Sequence, residues 1–349
     1  MPTNGADAVE QFSVNGSLFL AFANYYDDIN KYKTVSFIYK MNDSTGKFFL
    51  YKTIPTNGPR DIEFFTIADK HFLAVANHYD GTTYRVDSVI YQWNGHQFIA
   101  VQNISTNGAA KFIYFQILQD VFLGVANFHN DTTHFINSVI YIWKDNRFEK
   151  FQEIGTEGAL SSTVFVINNE TFMVFANTHN SKDGYSVHSS VFKWSGGHFI
   201  KLQSLQTYGT WDVKSFNNDG DTFLAFANER NKSNSNIDSF IYEWDGNKFV
   251  LFKSIPTHAA VDWHPFVMCD QTFLVVANFF DENLQKYNIP SVVYQASGEK
   301  LIKYREIETQ GAHGMTSFEY KGHTFLAVAN YYSDINKKYN INSTLYRWI

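Results

Sequence analysis

Hydrophobic and polar positions along this chain are grouped in short bursts, and one burst keeps returning. Phe72-Leu73-Ala74-Val75-Ala76-Asn77 is an apolar run closed by an asparagine; the closing asparagines of the series are Asn24, Asn77, Asn127, Asn177, Asn228, Asn278 and Asn330. The steps between them are 53, 50, 50, 51, 50 and 52 residues. A fixed period of this size marks a repeat architecture. Each run is short, rich in aromatic and β-branched residues, and bounded by turn residues, so it reads as a buried strand.

The second unit serves as template. Asp61 to Ala68 alternates into a first strand, A, and Asp69-Lys70-His71 turns the chain. Phe72 to Asn77 is strand B, followed by a polar loop from His78 to Val86. Ser88 to Trp93 is strand C, Asn94-Gly95 is a two-residue hairpin signal, and Phe98 to Ile104 is strand D. Thr106-Asn107-Gly108 leads into the next unit. Four antiparallel strands in about fifty residues make one propeller blade. The pattern therefore predicts an all-β, seven-bladed β-propeller of four-stranded antiparallel blades, with residues 1–349 as one domain. Recurrent Ser36, Ser88, Ser138, Ser189, Ser239, Ser291 and Ser343, and the Tyr or Phe three residues after each, are assigned to blade packing and backbone bonding.

The ends carry their own signal. Pro2-Thr3-Asn4-Gly5 is the turn that elsewhere follows strand D, and Trp348-Ile349 ends a strand C. The last blade is predicted to lack much of its outer strand, with about five N-terminal residues offered to complete it. The partly open edge that results is a template for pairing, so a homodimer through that edge is expected.

Composition then narrows the classes. With 34 Phe and 21 Tyr the chain suits stacked sheets with bulky inner faces. A net charge of −6 argues against a nucleic-acid footprint, which needs a basic stripe. No apolar run approaches the roughly 20 residues that span a bilayer, so no transmembrane segment is expected. Met1 to Gly5 is polar and does not open a signal peptide, which fits a cytosolic protein or a trimmed mature one. The single cysteine, Cys269, excludes an internal disulfide framework and reads as a turn or core thiol. Sequons at Asn15, Asn42, Asn103, Asn130, Asn169, Asn231 and Asn342 are compatible with secretion. No His-Glu-x-x-His, Gly-x-Ser-x-Gly or phosphate-cradling glycine loop is present, and the 12 histidines show no metal-ligand spacing.

Two places are candidates for binding. The A–B and C–D turns are tight, whereas the B–C loops are longer and vary between units, which places recognition on the B–C loop face. Its candidate ligand-binding residues are Tyr25, Tyr26, Asp27, Asp28, Tyr79, Asp80, His129, Phe280, Asp281, Tyr331, Tyr332 and Asp334. The near-identical stretches 25–31 and 331–337 belong to adjacent blades across the closure and are the first choice. The second place is the central channel. Period two puts Ala8, Asp61, Lys111, Ser161, Asp212, Asp262 and Gly314 in one ring, and Glu10, Glu63, Ile113, Thr163, Lys214, His264 and Thr316 in the next. Carboxylates so close to one axis must pair with the two lysines or with a cation; an oxygen-only set favours Ca²⁺ or Mg²⁺.

Phe-Leu-Ala-Val-Ala-Asn, then Ser-Val-Ile-Tyr-Gln-Trp-Asn-Gly, then Ile-Pro-Thr-Asn-Gly resembles the EAR repeat, also called the EPTP repeat. That family includes the leucine-rich glioma-inactivated proteins and a thrombospondin-type laminin G protein with EAR repeats. The resemblance covers essentially the whole chain. It implies a seven-bladed propeller and a secreted, extracellular interaction module. In the glioma-inactivated proteins the module binds the ectodomains of catalytically inactive metalloprotease-like receptors and holds a channel calcium ion. Carried over here, the metal positions are Asp61, Glu63, Asp212 and Asp262.

Three functions are weighed. The first is a non-catalytic module that binds a protein ectodomain through the B–C loop face. The second is a multivalent lectin that binds glycans on near-equivalent blades. An enzyme ranks last. Strong repetition in the core with weak repetition in the loops favours the first.

Overall fold

The computed structural model describes residues 1–348. Six four-stranded antiparallel sheets and one three-stranded sheet stand as seven blades around an axis, the six in the order A-B-C-D from the centre outward and the seventh in the order A-B-C. The third blade is representative, with strands Ala109–Ile117, Asp120–Asn127, Phe135–Lys144 and Arg147–Glu157. In the second blade the strands are Pro59–Ile67, Lys70–Asn77, Asp87–Trp93 and Phe98–Ser105, within two residues of the predicted bounds. Ala68 falls in the A–B turn rather than the strand, at a φ of 54°.

The recurrent apolar run is the middle of each blade and is sealed on both faces. Phe72, Leu73, Ala74, Val75 and Ala76 are all buried. Burying Phe72, Leu73 and Val75 contributes about 1.5–3 kcal/mol each. The cores lie between blades rather than within them: one cluster joins Phe65, Phe72 and Ile90 to Phe112, Leu123 and Phe148 of the next blade. The tryptophans that close strand C complete this stacking. Trp143 meets the ring of Phe72, one blade back, edge-on at 5.4 Å, and Trp194 meets Phe122 at 5.6 Å.

The repeated polar residues form a buried clip. The Asn127 amide donates to Asn137 O at 2.9 Å, and its Oδ1 accepts from Asn107 N at 3.2 Å. Its own N–H donates to Ser138 Oγ, which lies 2.9 Å from Thr156 Oγ1. All seven closing asparagines accept from the crossover in this way. The clip satisfies backbone groups that burial would otherwise leave unpaired.

Closure is three residues long. Blade 7 holds Ala312–Tyr320, His323–Asn330 and Thr344–Arg347. Pro2–Asn4 pairs antiparallel with Asn340–Asn342, where the end of a strand D would lie. Thr344–Arg347 has no outer neighbour among the described residues. The short fourth strand expected from the sequence is thus present. Cys269 is an exposed turn residue, in line with its bland reading.

Candidate functional site

Each inner strand begins with a β-bulge, as at Ala6/Ala8, Pro59/Asp61 and Thr210/Asp212. A bulge adds one residue and breaks the period of two. Two successive residues per blade therefore face the channel. The predicted ring of Ala8, Asp61, Lys111, Ser161, Asp212, Asp262 and Gly314 does line a cavity of about 220 Å³. The bulged residues Asp7, Arg60, Trp211 and His313 line it too, and strict alternation missed them.

Arg60 closes the upper end of that cavity. Its guanidinium carbon lies 4.6 Å from the Tyr25 ring centroid and 4.7 Å from that of Trp211, a cation held between two π faces. Nη1 is 3.3 Å from Asp7, whose other close neighbour is His313 Nδ1 at 2.9 Å. Burial opposes the Asp7 charge, but Arg60 and His313 outweigh it and hold the carboxyl below the usual range.

Below the plug, carboxylates link one inner strand to the next. Asp61 accepts from Phe112 N at 3.0 Å and from Lys111 Nζ at 3.2 Å. Glu63 accepts from Tyr114 N at 3.0 Å, and Asp262 from Met315 N at 2.8 Å. Asp212 accepts from Ser161 Oγ and Lys214 Nζ. Burial, with Asp61 nearby, pushes Glu63 up to about 7. Burial also raises Glu10 and Asp262, while Lys214 and Lys111 overcome it at Asp212 and keep that group low. The four carried-over metal positions thus fall into two groups, each with its own lysine. A calcium ion takes six to eight oxygens. Among the described residues no three His, Cys, Asp or Glu side chains converge on a cation position. With both lysines bonded to the carboxylates, the residues as arranged do not fit a resident ion.

The B–C loops lie on the face beyond Arg60. The residue after each closing asparagine forms an inner ring that includes Tyr25, His78, Phe128, Phe279 and Tyr331. His78 Nδ1–H donates to Gly108 O at 3.1 Å, and burial holds this imidazole neutral. Outside it, the next residue of each loop alternates with an aromatic from the loop's end. Ring contacts run Tyr26–Tyr32–Tyr79–Tyr84–His129 at centroid distances of 4.7 to 5.1 Å. They continue through His134 and His179 to Tyr185, which carries the Arg230 guanidinium. After a gap at Ser235 they resume with Phe280–Tyr287–Tyr332–Tyr339 and return to Tyr26. The result is an aromatic belt through six blades, broken only at the fifth.

The structure therefore brings together Tyr26, Tyr79, His129, Phe280 and Tyr332 in the belt and Tyr25 and Tyr331 in the inner ring. It gives the predicted carboxylates a different place. Asp27 accepts from Ile29 N and Asn30 N, Asp80 from Thr82 N and Thr83 N, and Asp281 from Asn283 N and Leu284 N. Asp28 and Asp334 reach the preceding blade's loop, accepting from Asn340 N at 3.0 Å and Tyr287 N at 2.6 Å. These side chains stiffen the loops. The loop-end aromatics Tyr32, Tyr84, His134, Tyr185, Tyr287 and Tyr339 were not anticipated. A signal existed: Tyr84, His134, Tyr185 and Tyr287 each stand 24 residues before a crossover glycine, Gly108, Gly158, Gly209 and Gly311.

Inside the belt, along blades 3 to 5, a funnel of about 310 Å³ opens above Arg60 and Trp211, walled by His134, His179, Tyr185, Glu229 and Arg230. Among the described residues nothing hydrogen-bonds the Glu229 carboxyl, and burial pushes it up to about 7. A larger recess, about 750 Å³, lies between the outer strands of blades 2 and 3. Its polar groups are largely spent on one another, as in Gln102 with Phe148 and Asn137 with Glu153.

The EPTP domain matches residues 47–94, 97–144, 147–195, 198–245, 248–295 and 300–349. A human thrombospondin-type laminin G domain and EAR repeat-containing protein is 44% identical over 94 residues, which is 27% of this chain and 14% of that protein. The chain thus matches well under two thirds of that relative's length. Two candidate 6-phosphogluconolactonases of known structure share the fold: one from Bacteroides uniformis has a TM-score of 0.62 at 13% identity, covering 84% of this chain and 83% of its own. The other, from Bacteroides fragilis, has the same TM-score and identity and covers 88% and 86%. At that identity the likeness extends to the fold alone.

Proposed function

The chain belongs to the EPTP repeat family, and on that premise we propose that it is a non-catalytic, extracellular recognition module that binds a protein partner through its B–C loop face. The observation that carries this reading is the aromatic belt with its single break. Half-buried tyrosines on stiffened loops offer large contact area at little entropic cost, as protein-binding surfaces do. The funnel with Glu229 and Arg230 lies along blades 3 to 5 and the break at Ser235 in blade 5, so the surface is asymmetric. A lectin that reused its blades would present equivalent open pockets. Here the loop carboxylates that would take sugar hydroxyls are bonded to backbone amides. The exposed sequon asparagines Asn15, Asn42, Asn103, Asn169 and Asn342 are consistent with an extracellular location.

The test is binding of the labelled propeller to intact cells after protease or glycosidase treatment. Protease-sensitive, glycosidase-resistant binding that falls at least tenfold in Y79S/Y185S, belt positions of blades 2 and 4, supports the reading. Glycosidase-sensitive binding that survives protease would replace it with the lectin.

A further inference from the structure

The tips of the B–C loops are not alike. In blades 1, 6 and 7 the apex is a branched aliphatic: Ile29 is 81% exposed, Leu284 60% and Ile335 81%. The corresponding tips of blades 2 to 5 are polar, with Thr82, Thr132, Lys182 and Ser233. Blades 6, 7 and 1 are consecutive around the ring, because the seventh closes onto the first. The three aliphatics thus occupy one arc of one face.

Their loops share a construction. Short antiparallel bridges, Asp27 with Lys31, Asp281 with Lys286 and Ser333 with Lys338, pinch each loop at its base. The apex is rigid, and the aliphatic stands out of the surface instead of folding back onto the belt. Charge is sorted along the same direction. The acids Asp27, Asp281 and Asp334 turn inward to backbone amides. Lys31, Lys33, Lys286, Lys337 and Lys338 are exposed beside the tips. The outermost layer of the arc therefore carries aliphatic, amide and cationic groups and no exposed carboxylate among the described residues, with the tyrosine belt beneath it.

We propose that this arc docks on an anionic phospholipid surface, with Ile29, Leu284 and Ile335 entering the headgroup region and the lysines meeting lipid phosphates and carboxylates. Separate, protruding aliphatics suit a fluid surface that closes around each of them. A protein interface favours aromatic and arginine anchors in fitted pockets and is depleted in lysine. Lysines beside a bilayer keep their ammonium groups in water while their stems lie along apolar surface, and tyrosine is enriched at the same depth. The proposal goes beyond the protein-partner reading and does not rest on it: the polar arc and the funnel remain free for a partner.

Sedimentation of the full chain with protein-free vesicles tests it, using phosphatidylcholine with and without phosphatidylserine. Wild type is expected to sediment with the mixed vesicles and to be released by raised salt. Each of I29S, L284S and I335S should weaken partitioning about tenfold, and each Lys→Gln about fivefold. Thr82→Ser and Thr132→Ser should change nothing. All these positions are exposed, so the variants are expected to melt with wild type. Wild type remaining in the supernatant, or the triple serine variant sedimenting like wild type, overturns the proposal. So does a concentration-dependent dimer that the triple variant abolishes, which would assign the arc to a second copy of this chain. None of these failures bears on protease-sensitive cell binding.

Discussion

The hydroxyls of Thr3 and Ser343, 340 residues apart in the chain, lie 2.8 Å from each other and form the same clip that Thr156 and Ser138 form within blade 3. Thr3 also donates to Ile341 O, and Tyr39 OH donates to Pro2 O. The N-terminus thus supplies blade 7 with the last three positions of a strand D. Thr3→Val keeps the shape and removes both hydroxyl bonds. It should cost about 1–2 kcal/mol in urea denaturation. Removing residues 1–4 should cost clearly more, because the backbone pairs go with the hydroxyl.

Stability should fall as pH rises through neutrality. The Glu63 carboxyl, raised from 4.5 to about 7, holds its proton more tightly folded than unfolded. Its contribution is complete below the unfolded value and is lost as pH climbs through about 7. The loss is on the order of 2 kcal/mol between pH 5 and 8. Glu10 and Asp262, also raised, act in the same direction. Denaturation of Glu63→Gln across that range should give a flatter profile and a higher stability at pH 8. An unchanged slope would remove Glu63 from the account.

The crossover turns contain their own control. Gly209 has a φ of +50°, and a Cβ there would lie 2.4 Å from Arg230 O and 3.2 Å from the Tyr185 ring. At the matching position of the next blade stands Ala259, at a φ of 44°, where the aromatic is replaced by Ser235. Gly209→Ala should therefore destabilise by about 2 kcal/mol or more. Ala259→Gly should be close to neutral. Thermal melts of both variants check the pair.

Arg60 should not tolerate lysine. A lysine offers no planar group to stack between Tyr25 and Trp211. Arg60→Met leaves Asp7 in the channel wall with His313 alone. Losing one partner of a buried pair costs about 3–5 kcal/mol, and Arg60→Lys should lose part of that. In both variants iodide should quench Trp211 fluorescence more readily than in wild type.

Chelation by EGTA should leave the melting temperature of wild type unchanged at neutral pH, because Lys111 and Lys214 already serve the channel carboxylates. In the double variant Lys111→Ala/Lys214→Ala those carboxylates lose their partners. Added Ca²⁺ should then raise the melting temperature. A wild-type drop with EGTA would restore the calcium reading.

The architecture was legible because it repeats. Seven apolar runs closed by asparagine set the blade count, and turn residues set the strand bounds. The channel was half legible. Alternation located Asp61 and Lys111, but the bulge at the head of each inner strand admits a second residue, and no local signal marks it. Arg60 was invisible for that reason, and its partner Trp211 stands three blades away. On the loop face the residues named from the sequence divide between the belt, the inner ring and the loop turns, and the sequence could not separate those places. A loop aspartate that caps two amides and one that awaits a ligand look the same until the backbone is traced around them.

The three-residue seam has a mechanical consequence. Pro2–Asn4 runs antiparallel to Asn340–Asn342, with Pro2 opposite Asn342. Tension between the two ends of the chain would load these pairs one after another, as a zipper is loaded, and not all at once in shear. The ring should open first at this seam and at low force, after which each blade would be exposed to peeling in turn. A pull applied at the B–C loops would cross no such seam and would meet the whole stacked core.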